Sequence, residues 1–541
     1  MQYDNGGELL VAHLESLGID TVFGIVSVHN LPLVEAVDRH LRFVPVRHEA
    51  TAVNAADGYG RARGSIGCAL TSTGTGAGNA AGSLIEALSA GTAVLHVTGQ
   101  VESQYLGSGR GFIHETKDQL GMLGAVSTYA ATVTSALDAG HVLREASAAA
   151  LATPGGPASV EWPIDLQYAA QEDAGEAVPS GGAPSPHAAE LAAAQALLAE
   201  SRRPLIWAGG GARHARRELA ALLEATGAGL LSSNSGRGSV PEDHPLVIGN
   251  FATDPAVRAL LADADVLVTI GTHFRSNETA DYNLKLPGAH IQIDADAAAL
   301  GRVYPARHAL HAEAAAVLPA LTGAAVRADA DWSARVTAVR DEVRAALHDD
   351  IGPQAALCDA LAAALPRGAV VARDVTIPSS SWGNRLLPIH DPRANVFPRG
   401  GGIGQGLGMG IGAALARPDE PTVVIAGDGG LAVHLGELLT VAQERPRLTL
   451  IVFNDGGYGV LRNMQDKYGE RRSGVDLFTP DFGPLAAACA LPYARIAAPE
   501  EAAPVLEAAL ASDGPTLVEV DLTALGPMKN PFTPPVKIPT A

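Results

Sequence analysis

Short apolar runs and amphipathic stretches alternate along most of this chain. Between Gly7 and Leu166, the run Thr21-Val22-Phe23-Gly24-Ile25 is followed by helical apolar spacing from Leu31, then by Phe43-Val44-Pro45-Val46 and a second helical stretch. Runs this short, with no polar face, read as strands buried on both sides, and their alternation with helices predicts βαβ units in a parallel sheet. From Ala169 to Pro186 the apolar period gives way to Ala, Gly, Pro, Ser and Glu, so this segment reads as a linker. A second block carries strand runs at Pro204–Ala208, Asp265–Ile270 and His290–Asp294 and closes near Leu321. A third opens near Gly352, with buried-strand runs at Thr422–Ala426, Leu448–Phe453 and Thr516–Val520, and its layout echoes the first. The predicted fold is α/β: three consecutive doubly wound parallel-sheet domains over 1–168, 187–325 and 350–526. A proline-bearing tail, 527–541, cannot extend a sheet or helix and is expected to cross the surface or a cleft.

Composition agrees with several cores rather than one, since 541 residues exceed what a single core organises. The 58 acidic against 38 basic residues, a formal charge of -20, disfavour nucleic acid and anionic membrane surfaces as partners. An anionic ligand must therefore be held by local groups. Cys68, Cys358 and Cys489 lie far apart without C-x-x-C spacing, which suggests neither a disulfide framework nor a zinc site. No basic segment precedes an apolar stretch at the N-terminus and no apolar run is long enough to span a bilayer, so a cytoplasmic location is expected.

The most informative segment runs from Val423 to Leu461. One buried strand ends at Gly427-Asp428-Gly429-Gly430, a helical stretch follows, and a second strand ends at Asn454-Asp455-Gly456-Gly457-Tyr458-Gly459. Ligands of parallel sheets bind at the C-terminal strand edge, and neighbouring strand ends would bring Asp428 and Asp455 together. Two hard carboxylates suit magnesium or calcium. Gly429 and Gly430 would let backbone N–H groups approach a diphosphate at the positive end of the following helix. Gly-Asp-Gly alone is a common turn; the spaced second cluster is what gives it meaning.

This layout resembles the thiamine diphosphate motif, in which Gly-Asp-Gly is followed, after a helix and a strand, by paired asparagines. Here Asp455 replaces the second asparagine, keeping an oxygen ligand but adding a negative charge. The resemblance implies a metal held by Asp428, Asp455 and the Gly457 carbonyl, with Tyr458 beside the cofactor. Upstream, Val46-Arg47-His48-Glu49-Ala50 and Ala56-Asp57-Gly58-Tyr59-Gly60-Arg61 resemble the pyrimidine-domain signature of the acetolactate synthase and benzoylformate decarboxylase family. The three blocks would then be pyrimidine-binding, middle and diphosphate-binding domains. Glu49 would bond a ring nitrogen of the aminopyrimidine, a role that calls for a raised pKa; taken alone it reads better as a helix N-terminal acid, and the downstream metal motif reverses that. The glycine-rich segment from Phe397 to Ala414 resembles the one that wraps the cofactor's middle. Within it, Gly401 would contact the cofactor and Ile403 would wedge between its two rings, a preorganising role. Thr376 is a candidate diphosphate contact.

The resemblance implies cleavage beside the carbonyl of a 2-oxo acid, in a homodimer or homotetramer whose active sites lie between subunits. The pocket departs from known relatives. Ser72 and Asn277 stand where benzoylformate decarboxylases carry histidines, Ser103 and Gln104 where pyruvate decarboxylases do, and Met464 where acetolactate synthases have a tryptophan. His114, in Gly111-Phe112-Ile113-His114-Glu115, is the leading proton shuttle or carboxylate-binding group, against a plain structural histidine. His29 and Ser72 would border the cofactor, while Leu461 and Met464 would wall an acceptor pocket or pack in the core. The expected activity is decarboxylation followed by carboligation to a second carbonyl, as in acetolactate synthases. Simple decarboxylation to an aldehyde is the alternative, and a non-catalytic cofactor-binding regulator or a nucleotide-binding oxidoreductase stands in other classes. Gly209-Gly210-Gly211 follows a strand but lacks the dinucleotide spacing, so FAD is not expected.

Overall fold

The computed structural model describes residues 1–173, 175, 184–469 and 471–534. Within them the chain forms three six-stranded sheets, each wholly parallel in its pairings. The first sheet runs Arg42–Pro45, Thr21–Gly24, Gly67–Thr71, Val94–Gln100, Pro157–Pro163, Tyr129–Thr132. The third runs Asn395–Val396, Val370–Arg373, Thr422–Gly427, Leu448–Asn454, Thr516–Asp521, Tyr493–Ile496. Numbered by chain order within each sheet, both read 2-1-3-4-6-5, whereas the middle sheet reads 3-2-1-4-5-6. The fold is thus three consecutive doubly wound α/β units, and the echo between the first and third blocks is topological.

Sequence and structure agree because strands covered by helices on both faces must be apolar throughout. Val94–Gln100, Pro157–Pro163 and Thr422–Gly427 are buried at every position. The region read as a linker holds an unexpected element: Gln171–Glu172 pairs antiparallel with Gln2–Tyr3 in a small separate sheet. Residues 174 and 176–183 of that region lie outside the described residues. In the tail, the Lys529 amide donates to the Asp350 carbonyl (3.0 Å) and Asn463 donates to the Phe532 carbonyl (2.9 Å). It therefore runs from the end of the helix Ala330–Asp350 to the helix Gly459–Tyr468, with 535–541 outside the described residues.

The first and third domains dock through the helices Glu49–Arg63 and Gly406–Ala416. A Cβ on Gly58 would stand 2.0 Å from the Met409 carbonyl oxygen, and one on Gly412 would stand 1.9 Å from that of Ala55. Only glycine permits such a backbone approach. The alternating glycines of 406–412 thus serve close packing, Gly408 and Gly412 against the helix Glu49–Arg63, Gly406 against Asp374 and Gly410 against Val424. Among the described residues no helix is long and apolar enough to cross a membrane, and all three cysteines are unpaired.

Candidate active site

In a doubly wound sheet the ligand crevice opens where strand order reverses, at the C-terminal edge. In the third domain that point lies between Val370–Arg373 and Thr422–Gly427. Asp374 and Thr376 follow the first strand, and Asp428 opens the helix after the second. Asp455 follows the neighbouring strand Leu448–Asn454.

Asp428 is buried, and its Oδ2 accepts a hydrogen bond from the Gly457 amide at 2.8 Å. Burial pushes its carboxyl above the usual range, against the pull of amides at Gly429, Asp455 and Gly457. Asp455 is raised to about 6 by burial and by Asp428, with Arg462 opposing. The Arg462 Nη1 lies 3.6 Å from Asp455 Oδ1, too far for a hydrogen bond, and that buried oxygen has no hydrogen-bond partner among the described residues. Backbone shape completes the arrangement. A Cβ on Gly429 would meet the Gly457 carbonyl oxygen and the Tyr458 ring, each at 2.8 Å, and one on Gly459 would lie 1.9 Å from Asp455 Oδ2. A buried carboxylate, a half-buried one that it raises and that carries an orphaned oxygen, and an approaching carbonyl make an oxygen donor set that fits a hard divalent cation. No cluster of three acidic, His or Cys side chains capable of holding a metal occurs among the described residues.

Around this pair lie the remaining residues of the diphosphate side. Thr376 Oγ1 lies 2.9 Å from where a Gly427 Cβ would be, and Asp374 Oδ2 lies 3.3 Å from the equivalent point of Gly430. Asp374, passed over in the sequence, is fully buried and raised to about 6 by burial. Its carboxylate accepts from the amides of Val375 (2.7 Å) and Gly404 (2.9 Å). Gly401 adopts φ +87 and Gly404 φ +81, bracketing Ile403, which is 39% exposed. Leu461, 48% exposed on the helix Gly459–Tyr468, belongs to the surface rather than the core, and Met464 on that helix is half-buried.

The first domain builds a second cup at its own strand-order reversal, between Thr21–Gly24 and Gly67–Thr71. Glu49 opens the helix Glu49–Arg63, and His48 caps it by accepting from the Ala50 amide at 3.1 Å. Glu49 Oε2 accepts from Asn79 Nδ2 at 3.0 Å, a partner the sequence reading missed. The space a Gly76 Cβ would fill is bounded by Ser72 Cβ at 2.8 Å and Glu49 Oε1 at 3.1 Å; two residues earlier, a Cβ on Gly74 would stand 2.5 Å from the His114 carbonyl oxygen. His114 meets His29 Nδ1 to Nδ1 at 3.3 Å, rings 5.2 Å apart, one nitrogen donating and the other accepting. His29 is buried, and burial with the neighbouring His114 lowers its pKa. His114 itself adopts φ +69, a left-handed conformation few non-glycine residues take. Glu115 holds its loop by accepting from the amides of Gly109, Gly111 and Phe112, and Phe112 stacks on Tyr105 at 4.7 Å.

The structure gathers Glu49, Ser72, His29 and His114 on one domain, and Thr376, Ile403, Asp428, Asp455 and Tyr458 on another. Among the described residues no hydrogen bond joins Glu49 to Asp428 or Asp455. A separate cavity of about 740 Å³ opens where all three domains meet, and none of these residues lines it. Gly210 and Gly211 do, together with Arg213, Arg399 and Asp294. Arg213 is lowered to about 10 by burial and by Arg61 and Arg399, and Asp294 is raised to about 6 by burial.

Comparison with known proteins agrees with this geometry. Models described as the N-terminal TPP binding domain, central domain and C-terminal TPP binding domain of thiamine pyrophosphate enzymes match residues 4–122, 191–321 and 378–520. The chain belongs to the thiamine pyrophosphate enzyme family, among relatives that include acetolactate synthases and a decarboxylase, and it is a thiamine diphosphate-dependent enzyme. It is 33% identical over 524 residues to the probable 2-ketoarginine decarboxylase of Pseudomonas aeruginosa, covering 95% of this chain and 93% of that protein. It is 29% identical over 538 residues to the acetolactate synthase isozyme 2 large subunit of Escherichia coli, covering 96% of each. It is 28% identical over 543 residues to the probable acetolactate synthase large subunit of Methanocaldococcus jannaschii, covering 95% of this chain and 91% of that one.

Proposed function

We propose that this enzyme decarboxylates a 2-oxo acid and protonates the carbon left behind, releasing an aldehyde. The observation that carries this reading is the His29–His114 pair beside Glu49. A proton donor within reach of the reacting carbon competes with any second carbonyl for it, which moves the weight from the carboligation expected from sequence toward simple decarboxylation. Bound thiamine diphosphate supplies the electron sink for loss of carbon dioxide. Asp428, Asp455 and the Gly457 carbonyl would hold a magnesium ion, and Thr376 with the Gly429 and Gly430 amides would bind the diphosphate. Ile403, Gly401 and Tyr458 would contact the cofactor between its two ends. Glu49 moves a proton at the aminopyrimidine nitrogen. His29, buried with a lowered pKa, holds the His114 ring through the Nδ1–Nδ1 hydrogen bond, and His114 gives its proton to the carbon left by carbon dioxide and is reprotonated from water.

Carboligation remains the second reading, supported by the exposed apolar Leu461, by Met464 on the same helix and by the acetolactate synthases among the relatives. We also assign the active unit to at least a homodimer. Val26, Val28 and Ile113 around the Glu49 cup are 55%, 62% and 64% exposed, and Val433 beyond the Asp428 end is 47% exposed. An apolar rim on each half-site suits the half-site of a second copy.

The test is carbon dioxide release and product identification with thiamine diphosphate and magnesium. Substrates should span pyruvate, 2-oxobutyrate, branched and aryl 2-oxo acids, and guanidino 2-oxo acids of the kind named for the Pseudomonas relative. Aldehydes bear out the proposal and 2-hydroxyketones establish the second reading. Tight cofactor binding without turnover of any substrate would instead favour a regulator.

A further inference from the structure

The segment that carries Ile403 reads Arg399-Gly400-Gly401-Gly402-Ile403-Gly404. A glycine run of this kind has more backbone freedom to lose than any other sequence, so it holds no shape of its own. Its order must come from outside, and the structure shows where. From the first domain, Glu86 sends both carboxylate oxygens to consecutive amides, Oε1 to Arg399 N–H and Oε2 to Gly400 N–H, the latter at 2.6 Å. Arg61 donates to the Phe397 carbonyl at 2.7 Å and lies 3.8 Å from Glu86. From the middle domain, Arg275 donates to the Arg399 carbonyl. At the far end, Asp374 receives the Gly404 amide. Only Gly401, Gly402 and Ile403 lie between the tied amides of Gly400 and Gly404.

Glu86 is 2% exposed, and its carboxylate has been stripped of water to make these bonds. Gly400 is shaped to fit it, because a Cβ there would stand 2.6 Å from Glu86 Oε2. We propose that Glu86 and Arg275 are positioning residues that tie the 397–404 loop to the first and middle domains and so set where Ile403 meets the cofactor. This rests on the cofactor reading above. A wedge between two rings works only if its backbone is fixed before the cofactor arrives, and three of the four loop residues from 400 to 403 are glycines with no stiffness to contribute.

The experiment uses the full chain and two variants. In Glu86→Gln the amide nitrogen of the new side chain would confront one of the two N–H donors, and Arg275→Met removes the second tie from another domain. Each is measured by binding of thiamine diphosphate with magnesium and by binding of magnesium pyrophosphate, which engages only the Asp428 end. Amide exchange across 397–404 in the cofactor-free protein is the third readout. Both variants should bind thiamine diphosphate at least about ten-fold more weakly, keep magnesium pyrophosphate affinity, and exchange faster in that segment alone. Wild-type affinity for thiamine diphosphate in both variants would overturn the proposal. Equal loss of both ligands with a lowered melting temperature would overturn it too, as the mark of a merely structural role. Failure of the unaltered chain to bind thiamine diphosphate would instead bring down the cofactor reading itself.

Discussion

Replacing Asp455 by Asn separates charge from shape at the metal end of the site. In the metal-free protein Asp455 is raised from 3.8 to about 6 by burial and by Asp428. Holding it ionised at neutral pH therefore costs about 3 kcal/mol relative to the unfolded chain. Because the folded state binds the proton more tightly, the stabilising effect of the protonated form is full below about pH 4 and lost as pH rises through about 6. Asparagine keeps an oxygen in place and never ionises. Allowing for the desolvation an amide also suffers, Asp455→Asn should stabilise the metal-free protein by about 2 kcal/mol at pH 7.5, or ~4–8 °C in the transition of a domain this size. At pH 4 the two proteins should melt together.

Magnesium reverses the sign. If Asp455 ligates the ion, the carboxylate that costs stability without metal would face a divalent cation, so the variant should lose roughly 2–3 kcal/mol of metal binding, about 30- to 150-fold. Calorimetric melting in a chelator at pH 4 and 7.5, followed by magnesium titration, measures both halves. A variant that melts at or below the unaltered protein without metal at pH 7.5 would refute the reasoning, as would unchanged magnesium affinity.

Glu49→Gln should lower turnover by about 10²- to 10⁴-fold while the melting temperature and its rise on adding cofactor persist; near-normal turnover would remove Glu49 from the chemistry. Gly429→Ala places a methyl 2.8 Å from both the Gly457 carbonyl and the Tyr458 ring, so the backbone shift, about 1–3 kcal/mol, should abolish most cofactor-induced stabilisation without preventing folding. His96, buried between Thr71 Oγ1 (2.8 Å) and Ser159 Oγ (3.1 Å), is lowered by burial from 6.5 to about 4. The stability it lends is full above about pH 6.5 and lost as pH falls toward 4, so the destabilisation caused by His96→Gln in urea unfolding should be about 2 kcal/mol smaller at pH 5 than at pH 7.5; a constant difference would refute a neutral buried His96.

What the sequence disclosed follows from how local each signal is. Strands such as Thr422–Gly427 and Leu448–Asn454 are buried at nearly every position, so composition over a few residues sufficed to find them. Asp428 and Asp455 were legible because each sits within its own strand-end glycine cluster. Asp374 ends a strand too, yet without glycines after it nothing marked it, although the rule that placed Asp428 at the strand edge applied equally. Asn79 and Glu86 act across long stretches of chain, on Glu49 and on 399–400 respectively, and such pairings leave no local trace. Gly408 and Gly412 answer to the helix Glu49–Arg63, far upstream in the chain, another close approach that leaves no local trace.

Conflict between local preference and observed conformation points back to the same places. His114 holds a left-handed backbone, Asp428 is a buried acid that raises the half-buried Asp455 beside it, and a triple glycine is held still by Glu86 and Arg275. Each arrangement is unfavourable for folding alone, and each is what the proposed roles would require: a proton donor for the substrate carbon, ligands for a cation, a wedge against a ring. Such conflicts also arise for plain structural reasons, as at Arg445, where a positive φ simply ends the helix Leu438–Glu444. The difference lies in what faces the strained group. Arg445 closes a helix, whereas His114 is turned toward His29 in the cup that holds Glu49, and Asp455, raised by Asp428, has an oxygen without a hydrogen-bond partner among the described residues.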